Sequence, residues 1–179
     1  EFMWAVGKDA YGVLRELYQM NKSVGNQLNR QLIRDFQIYM AVGGMPQAVQ
    51  AYVDGRNFED IDRIKREIIQ LYEDDFRKID SSGRLAQLYE AIPSQLSANA
   101  KRYMMSKALG KRSTAKDREI FAELLDSKTV LVSYNTTNPE VALNLSKNID
   151  SYKLYLADTG LPKERTYMTG SPMAEEINR

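Results

Sequence analysis

Cysteine and histidine are both absent from this chain of 179 residues. Their absence excludes thiol nucleophiles, disulfides, Ser–His relays and zinc sites of the usual kind. A chain without cysteine also fits a cytoplasmic setting. Long apolar runs are missing as well. No stretch approaches the ~18 consecutive apolar residues of a membrane span, and the opening Glu1-Phe2-Met3-Trp4-Ala5 lacks the basic start and apolar run of a secretory signal. No membrane partner is expected. Neither sign of charge is in excess, with 25 Lys and Arg against 24 Asp and Glu, so overall charge points to no class of partner. What is present is a globular mixture, 43% hydrophobic and 27% charged, which argues against wholesale disorder. Its length suffices for one domain with a real core or for two small ones. The first residues read as the middle of an amphipathic helix, so the sequence is expected to be a piece of something longer.

The stretch Tyr39-Met-Ala-Val-Gly-Gly-Met-Pro-Gln-Ala-Val49 organises the rest. Before it, Leu28, Leu32, Phe36 and Met40 recur every fourth residue with Ile33 alongside, which predicts a long amphipathic helix from about Asn26 to Val42. Gly43-Gly44 ends that helix, and Pro46 fits the first turn of the next, which runs to about Val53. From chemistry alone this is a well-punctuated joint between two helices. Upstream, Tyr11, Leu14, Leu17 and Tyr18 predict a helix within 8–19. Downstream, Asn57 caps the longest helix, whose apolar stripe is Ile61, Ile64, Ile68, Leu71, Tyr72, Phe76 and Ile79 and whose charged face is Asp62, Arg63, Lys65, Arg66 and Glu67. Residues 1–80 are therefore expected to form a helical bundle.

Asp80-Ser81-Ser82-Gly83 is the expected domain boundary. Beyond it Leu85, Leu88 and Ile92 mark a helix ending before Pro93, and 94–109 holds one or two more. Thr114 and Asp117 resemble a capping box ahead of Ile120, Phe121, Leu124 and Leu125. The period then changes: Thr129–Tyr134 and Lys153–Ala157 are strand-like, with a turn at Asn135–Pro139 and a short helix or long loop over 138–150. Three helices followed by a ribbon is the order of a winged helix.

Gly43-Gly44-Met45-Pro46-Gln47-Ala48-Val49, together with residues 63–78 and their Tyr72-Glu73-Asp74-Asp75-Phe76, resembles the C-terminal half of bacterial and archaeal AAA-type ATP-binding proteins, in which a domain of unassigned function follows the ATPase core. The resemblance covers roughly residues 1–161 and is most specific over 39–79 and at Tyr152-Lys-Leu-Tyr-Leu-Ala-Asp-Thr-Gly-Leu161. In related signal-transduction ATPases a Gly-x-Pro opening a lid helix contacts the bound nucleotide. Gly44-Met45-Pro46 matches that motif by position, so the resemblance implies nucleotide contact there, with Met45 and Pro46 against the adenine. It also implies ATP with magnesium for the intact parent, no cofactor for this piece alone, and the missing N-terminal ATPase core as a partner. After Leu161 the family continues into a nuclease-like α/β region. Here 162–179 is turn-rich instead and is expected to be a mobile tail.

Three further stretches bear on chemistry. Residues 101–118 carry seven basic side chains (Lys101, Arg102, Lys107, Lys111, Arg112, Lys116 and Arg118) against the single acid Asp117, which leaves the remainder net acidic. Basic residues on the helices and turn of a winged helix would meet the phosphates of double-stranded DNA. The alternatives are a solvated surface or a face that docks on a protein partner, and Glu119, Glu123 and Asp126 on the same helix weaken the DNA case. Leu109-Gly110-Lys111-Arg112-Ser113-Thr114 fails as a phosphate loop, because Met105 stands where the first glycine belongs and Arg112 where the hydroxyl does. Glu73-Asp74-Asp75 points three ways from a helix and does not converge on one ion. The expectation is a mainly α chain: a helical lid-like bundle (1–80), then a winged-helix-like domain (81–161) with a small ribbon. It would act without catalysis of its own as the sensor and effector region of an ATPase, or alternatively as a DNA-binding module or an interaction scaffold.

Overall fold

In the computed structural model, which describes residues 1–136 and 147–161, the chain is mainly helical and closes with a small two-stranded antiparallel sheet. The helices are α1 (Phe2–Ala5), α2 (Tyr11–Gln19), α3 (Asn26–Val42), α4 (Pro46–Val53), α5 (Phe58–Ile79), α6 (Arg84–Ser97), α7 (Met105–Leu109) and α8 (Ala115–Asp126), and the strands are β1 (Val130–Thr136) and β2 (Lys147–Leu156). Local signals set many of these bounds. α3 stops at Gly43, whose φ of 86° and ψ of −173° fall in a region open essentially to glycine alone. Pro46 sits in the first turn of α4. The Asn57 side-chain oxygen accepts the Asp60 N–H at 2.8 Å and so caps α5, which carries Glu59 and Asp60 in its first turn and Arg77 and Lys78 in its last. No helix among the described residues is long and apolar enough to cross a membrane.

The chain forms two units, one of residues 1–68 with 158–161 and the other Ile69–Ala157. Their division lies within α5, whereas from sequence it is expected at Asp80–Gly83. That turn caps α6 instead: Asp80 Oδ2 accepts the N–H groups of Arg84 at 2.9 Å and Leu85 at 3.1 Å. Burial pushes the Asp80 carboxyl up, but the Ser82 hydroxyl and the backbone N–H groups of Leu85, Ser82 and Arg84 outweigh it and leave it below its ordinary value.

In the first unit, Val42, Ala48, Val49, Ala51 and Ile61 make a small core, flanked by Phe2, Ile38, Met45, Tyr52, Phe58 and Ile64. α1 and α3 both pack on α4. The inward faces of two helices differ from expectation. Of the α3 stripe, Ile33, Phe36 and Met40 are exposed, while Asp35 and Val42 are buried. On α5, Asp62 and Lys65 leave the solvated face. They pair at 2.8 Å with both side chains largely buried, and the Lys65 ammonium also donates to the Ala41 carbonyl at 2.7 Å, tying α5 to the end of α3.

The second unit has a larger core, built from Phe76, Leu85, Leu88, Tyr89, Ile92, Tyr103, Ile120, Leu124, Val130, Tyr152 and Leu154. α6 packs on α7, α8 and β2. It runs through Pro93 rather than ending there. Proline supplies no N–H and disfavours helix in the residue before it, but burial of Leu88, Tyr89 and Ile92 ahead of it and Gln95 behind it holds the helix on course. The buried Gln95 amide grips one backbone position from both sides, donating to the Met104 carbonyl at 3.1 Å and accepting the Met104 N–H at 2.8 Å. Tyr103 donates its hydroxyl to the Leu88 carbonyl at 2.6 Å, and its N–H reaches the Tyr152 carbonyl at 2.7 Å. Burial, then the neighbouring Tyr134 and Asp150, push the Tyr152 phenol up to about 12.

β1 and β2 pair from Val130↔Leu156 to Thr136↔Lys147, with an irregularity between Tyr134 and Asn135. Both strands are longer than expected. Asn135 and Thr136 belong to β1 and residues 147–150 to β2, because cross-strand pairing continues past the irregularity. The rest of the expected turn and of the helix or loop over 138–150 lies outside the described residues, as does the 162–179 tail.

Candidate functional site

The joint at Gly43-Gly44-Met45-Pro46 meets a second segment that is remote in sequence, Asp158-Thr159-Gly160. Asp158 is buried, and its carboxylate accepts the Gly44 N–H at 2.5 Å through Oδ2 and the Gly160 N–H at 2.7 Å through Oδ1. Backbone lies against backbone here. A Cβ on Gly43 would stand 2.5 Å from Asp158 Oδ1, and one on Gly160 would stand 2.7 Å from the Gly43 nitrogen and 2.9 Å from the Val42 carbonyl. No side chain fits either place without movement. The two glycines are therefore required by close approach, and Gly43 by its φ as well.

Gly44 and Pro46 also line a cleft of about 1250 Å³ within the first unit. Its wall includes Phe2, Trp4, Tyr11, Leu32, Phe36, Tyr39, Val49 and Val53, with Glu1, Asp9 and Asp35 as acidic residues, and no lysine or arginine is among its lining residues. Aromatic rings run along it: Phe36 to Tyr39 at 6.3 Å and Tyr39 to Phe2 at 5.4 Å between centroids. Of the three nucleotide-contact candidates, then, Gly44 and Pro46 face the cleft, while Met45 is half-buried and packs on the small core. The Gly44 N–H is taken up by Asp158.

Asp35 was not anticipated as a site residue. It is 4% exposed, one carboxylate oxygen pairs with the Lys8 ammonium, and the other, Oδ2, is buried with no hydrogen-bond partner among the described residues. Its sequence signal is slight, a single acid one residue from the apolar i, i+4 stripe. Asp158 and Gly160 stood within a stretch recognised by resemblance, but nothing local marked them as partners of Gly43 and Gly44.

The basic segment runs from the connection between α6 and α7 through α7 and the following turn to the start of α8. Lys101, Arg102, Lys107, Lys111, Arg112, Lys116 and Arg118 are all exposed, and none forms an ion pair among the described residues. Asp117, the one acid among them, turns inward. It is fully buried, completes the capping box with Thr114 and receives the Arg84 guanidinium at 2.8 Å. That guanidinium, then the Thr114 N–H and hydroxyl, hold the Asp117 carboxyl well below the usual carboxylate range. The segment's exposed charge is thus more uniformly positive than its composition suggests. Glu119, Glu123 and Asp126 are exposed further along α8 and dilute it.

Thr114 spends its hydroxyl on Asp117 at 2.8 Å, and Gly110 is the left-handed C-cap of α7, so this turn is built as a helix connection. Asp74 and Asp75 pair with Arg77 and Lys78 at 3.2 and 2.8 Å on the exposed face of α5. No group of acidic side chains among the described residues is arranged to hold a metal ion.

No curated protein and no solved structure matches the chain. A family model does, over residues 33–169, a span that includes both halves of the glycine junction and the whole basic segment but not α1 and α2. It covers most of the sequence, and the chain accordingly belongs to the family described as a domain of unknown function, DUF8612.

Proposed function

We propose that the chain is the non-catalytic sensor and effector region of an AAA-type ATPase, coupling nucleotide state to a winged-helix module formed by α6, α7, α8 and the β1–β2 ribbon. One observation carries this reading beyond resemblance: the Gly44-Met45-Pro46 joint is hydrogen-bonded to the residues that directly follow β2. A ligand that shifts the joint acts on Asp158, two residues after the ribbon's last strand. The apolar wall at Gly44 and Pro46 suits the base of a nucleotide. With no lysine or arginine in that wall, the phosphates and magnesium would be held by the N-terminal ATPase core. A joint with two arrangements, only one of them favoured by nucleotide, is what such a switch needs.

Replacing Met45 and Pro46 in the intact ATPase tests the reading. ATP affinity and turnover should both fall, and unchanged values would remove the joint from nucleotide sensing. Asp158→Ala is the companion. It should leave ATP affinity nearly intact while changing the protease sensitivity of the β1–β2 ribbon on adding nucleotide.

A second reading, a DNA-binding module, is favoured by the seven exposed basic side chains that have no ion-pair partners among the described residues. Anisotropy of labelled duplex DNA at two salt concentrations tests it. Steeply salt-dependent binding that weakens when Lys111 and Arg112 are reversed to Glu supports DNA. Absence of binding at low salt leaves a surface for a protein partner.

A further inference from the structure

We propose that the cleft of the first unit is a docking groove for a short apolar peptide segment carrying one basic side chain, an arginine above all. This cleft is the one whose Gly44 and Pro46 wall is proposed above for a nucleotide base, so the two occupants compete for it. The apolar part follows from the wall, where Trp4, Tyr11 and Phe36 are more than half exposed and stand beside Leu32, Val49 and Val53. Large aromatics gathered in one concave surface and left to solvent mark a binding surface more often than a folding core. At about 1250 Å³ the cleft also exceeds what a single small molecule fills.

The basic side chain follows from charge. Glu1, Asp9 and Asp35 lie in the wall, and no lysine or arginine does. Asp35 is the sharper signal, since it is 4% exposed and Lys8 engages only one of its oxygens. The buried Oδ2 has no hydrogen-bond partner among the described residues, and a buried acceptor of that kind calls for a donor. A guanidinium supplies several donors from one planar group and also stacks on aromatic faces.

Trp4 is the only tryptophan in the chain and lies in the cleft wall at 62% exposure, so its emission reports occupancy directly. The probe is a ten-residue leucine-rich peptide with one central arginine, compared with the same peptide carrying neutral citrulline. Titrated into the 179-residue chain, the arginine peptide should give a saturable blue shift of Trp4 emission, with the citrulline peptide about tenfold weaker. Asp35→Asn should remove that difference. Because this change also deprives Lys8 of its partner, Phe36→Ser serves as a second variant; it should weaken both peptides while the far-ultraviolet circular dichroism stays unchanged. No shift at millimolar peptide, or equal affinity for the two peptides, overturns the proposal. So does a blue shift that grows with protein concentration alone, which would make a second copy of the chain the occupant.

Discussion

The two units solve the same problem with different materials. The second buries a continuous set of large side chains, with Leu85, Leu88, Ile92, Leu124 and Leu154 almost wholly removed from solvent and the Tyr103, Phe121 and Tyr152 rings in contact. The first has a core of small residues, Ala48, Val49 and Ala51 among them, and leaves Trp4, Tyr11, Tyr18, Phe36 and Met40 in water. What it has instead is the meeting of Gly43 and Gly44 with Asp158 and Gly160, where backbones touch because side chains are missing. Stability in the second unit is therefore carried by apolar area. In the first it depends more on fit at one point, and several of its large apolar side chains stay exposed.

Four perturbations press on that contrast. Leu88→Ala should have the largest effect, about 2–5 kcal/mol, since it empties a fully buried site in the middle of α6. Hydrogen exchange read by mass spectrometry should show the loss concentrated in α6, α8 and the ribbon. An equal loss across α3 and α4 would mean that the units unfold as one and would break the comparison. Gly160→Ala should cost about 1–3 kcal/mol, the usual range for overpacking, and its exchange signature should fall on α3 and α4 instead. A neutral outcome there would show that the junction yields easily and that its close approach is incidental.

Acidification sharpens the contrast without changing a residue. The folded-state pKa values of Asp80 and Asp117 both lie below their ordinary values. Stability from a depressed carboxyl is complete above the unfolded pKa of about 4 and is lost as pH falls from there toward the folded value. Thermal melts at pH 5 and pH 3 should therefore show the second unit weakening, and Asp117→Asn should flatten that dependence. Smallest of all, Phe36→Ser should change stability by no more than about 0.5 kcal/mol, because the ring is already 58% exposed. A loss above about 1 kcal/mol would mean that the cleft wall is structural, and the docking groove would lose its main support.

Local chemistry was legible and distant pairing was not. Gly43, Pro46 and Asn57 announced the ends of α3, α4 and α5, and Thr114 with Asp117 announced α8, because each acts within a few residues of itself. Pro93 misled, since a rule about one missing N–H competes with several buried side chains around it, and burial won. The face of α3 misled for a related reason. Periodicity counts apolar residues without knowing which of them find neighbours, so Phe36 and Met40 read as core while Asp35 did not. Nothing in the region of Gly44 could name Asp158, and nothing near Arg84 could name Asp117. Both contacts depend on the folded path of the chain. The basic segment was legible as composition, but only the fold shows Asp117 withdrawn from it.

The Gly44–Asp158 hydrogen bond spans 114 positions. Closing so long a loop is entropically costly, and local helices do not wait for it. All of α5, α6, α7, α8 and the ribbon lie between its ends, so this clasp is set late during folding, after most of the chain has found its shape. By the same logic it can open early while the helices on either side persist. The order of synthesis thus places this clasp after the helices that it encloses.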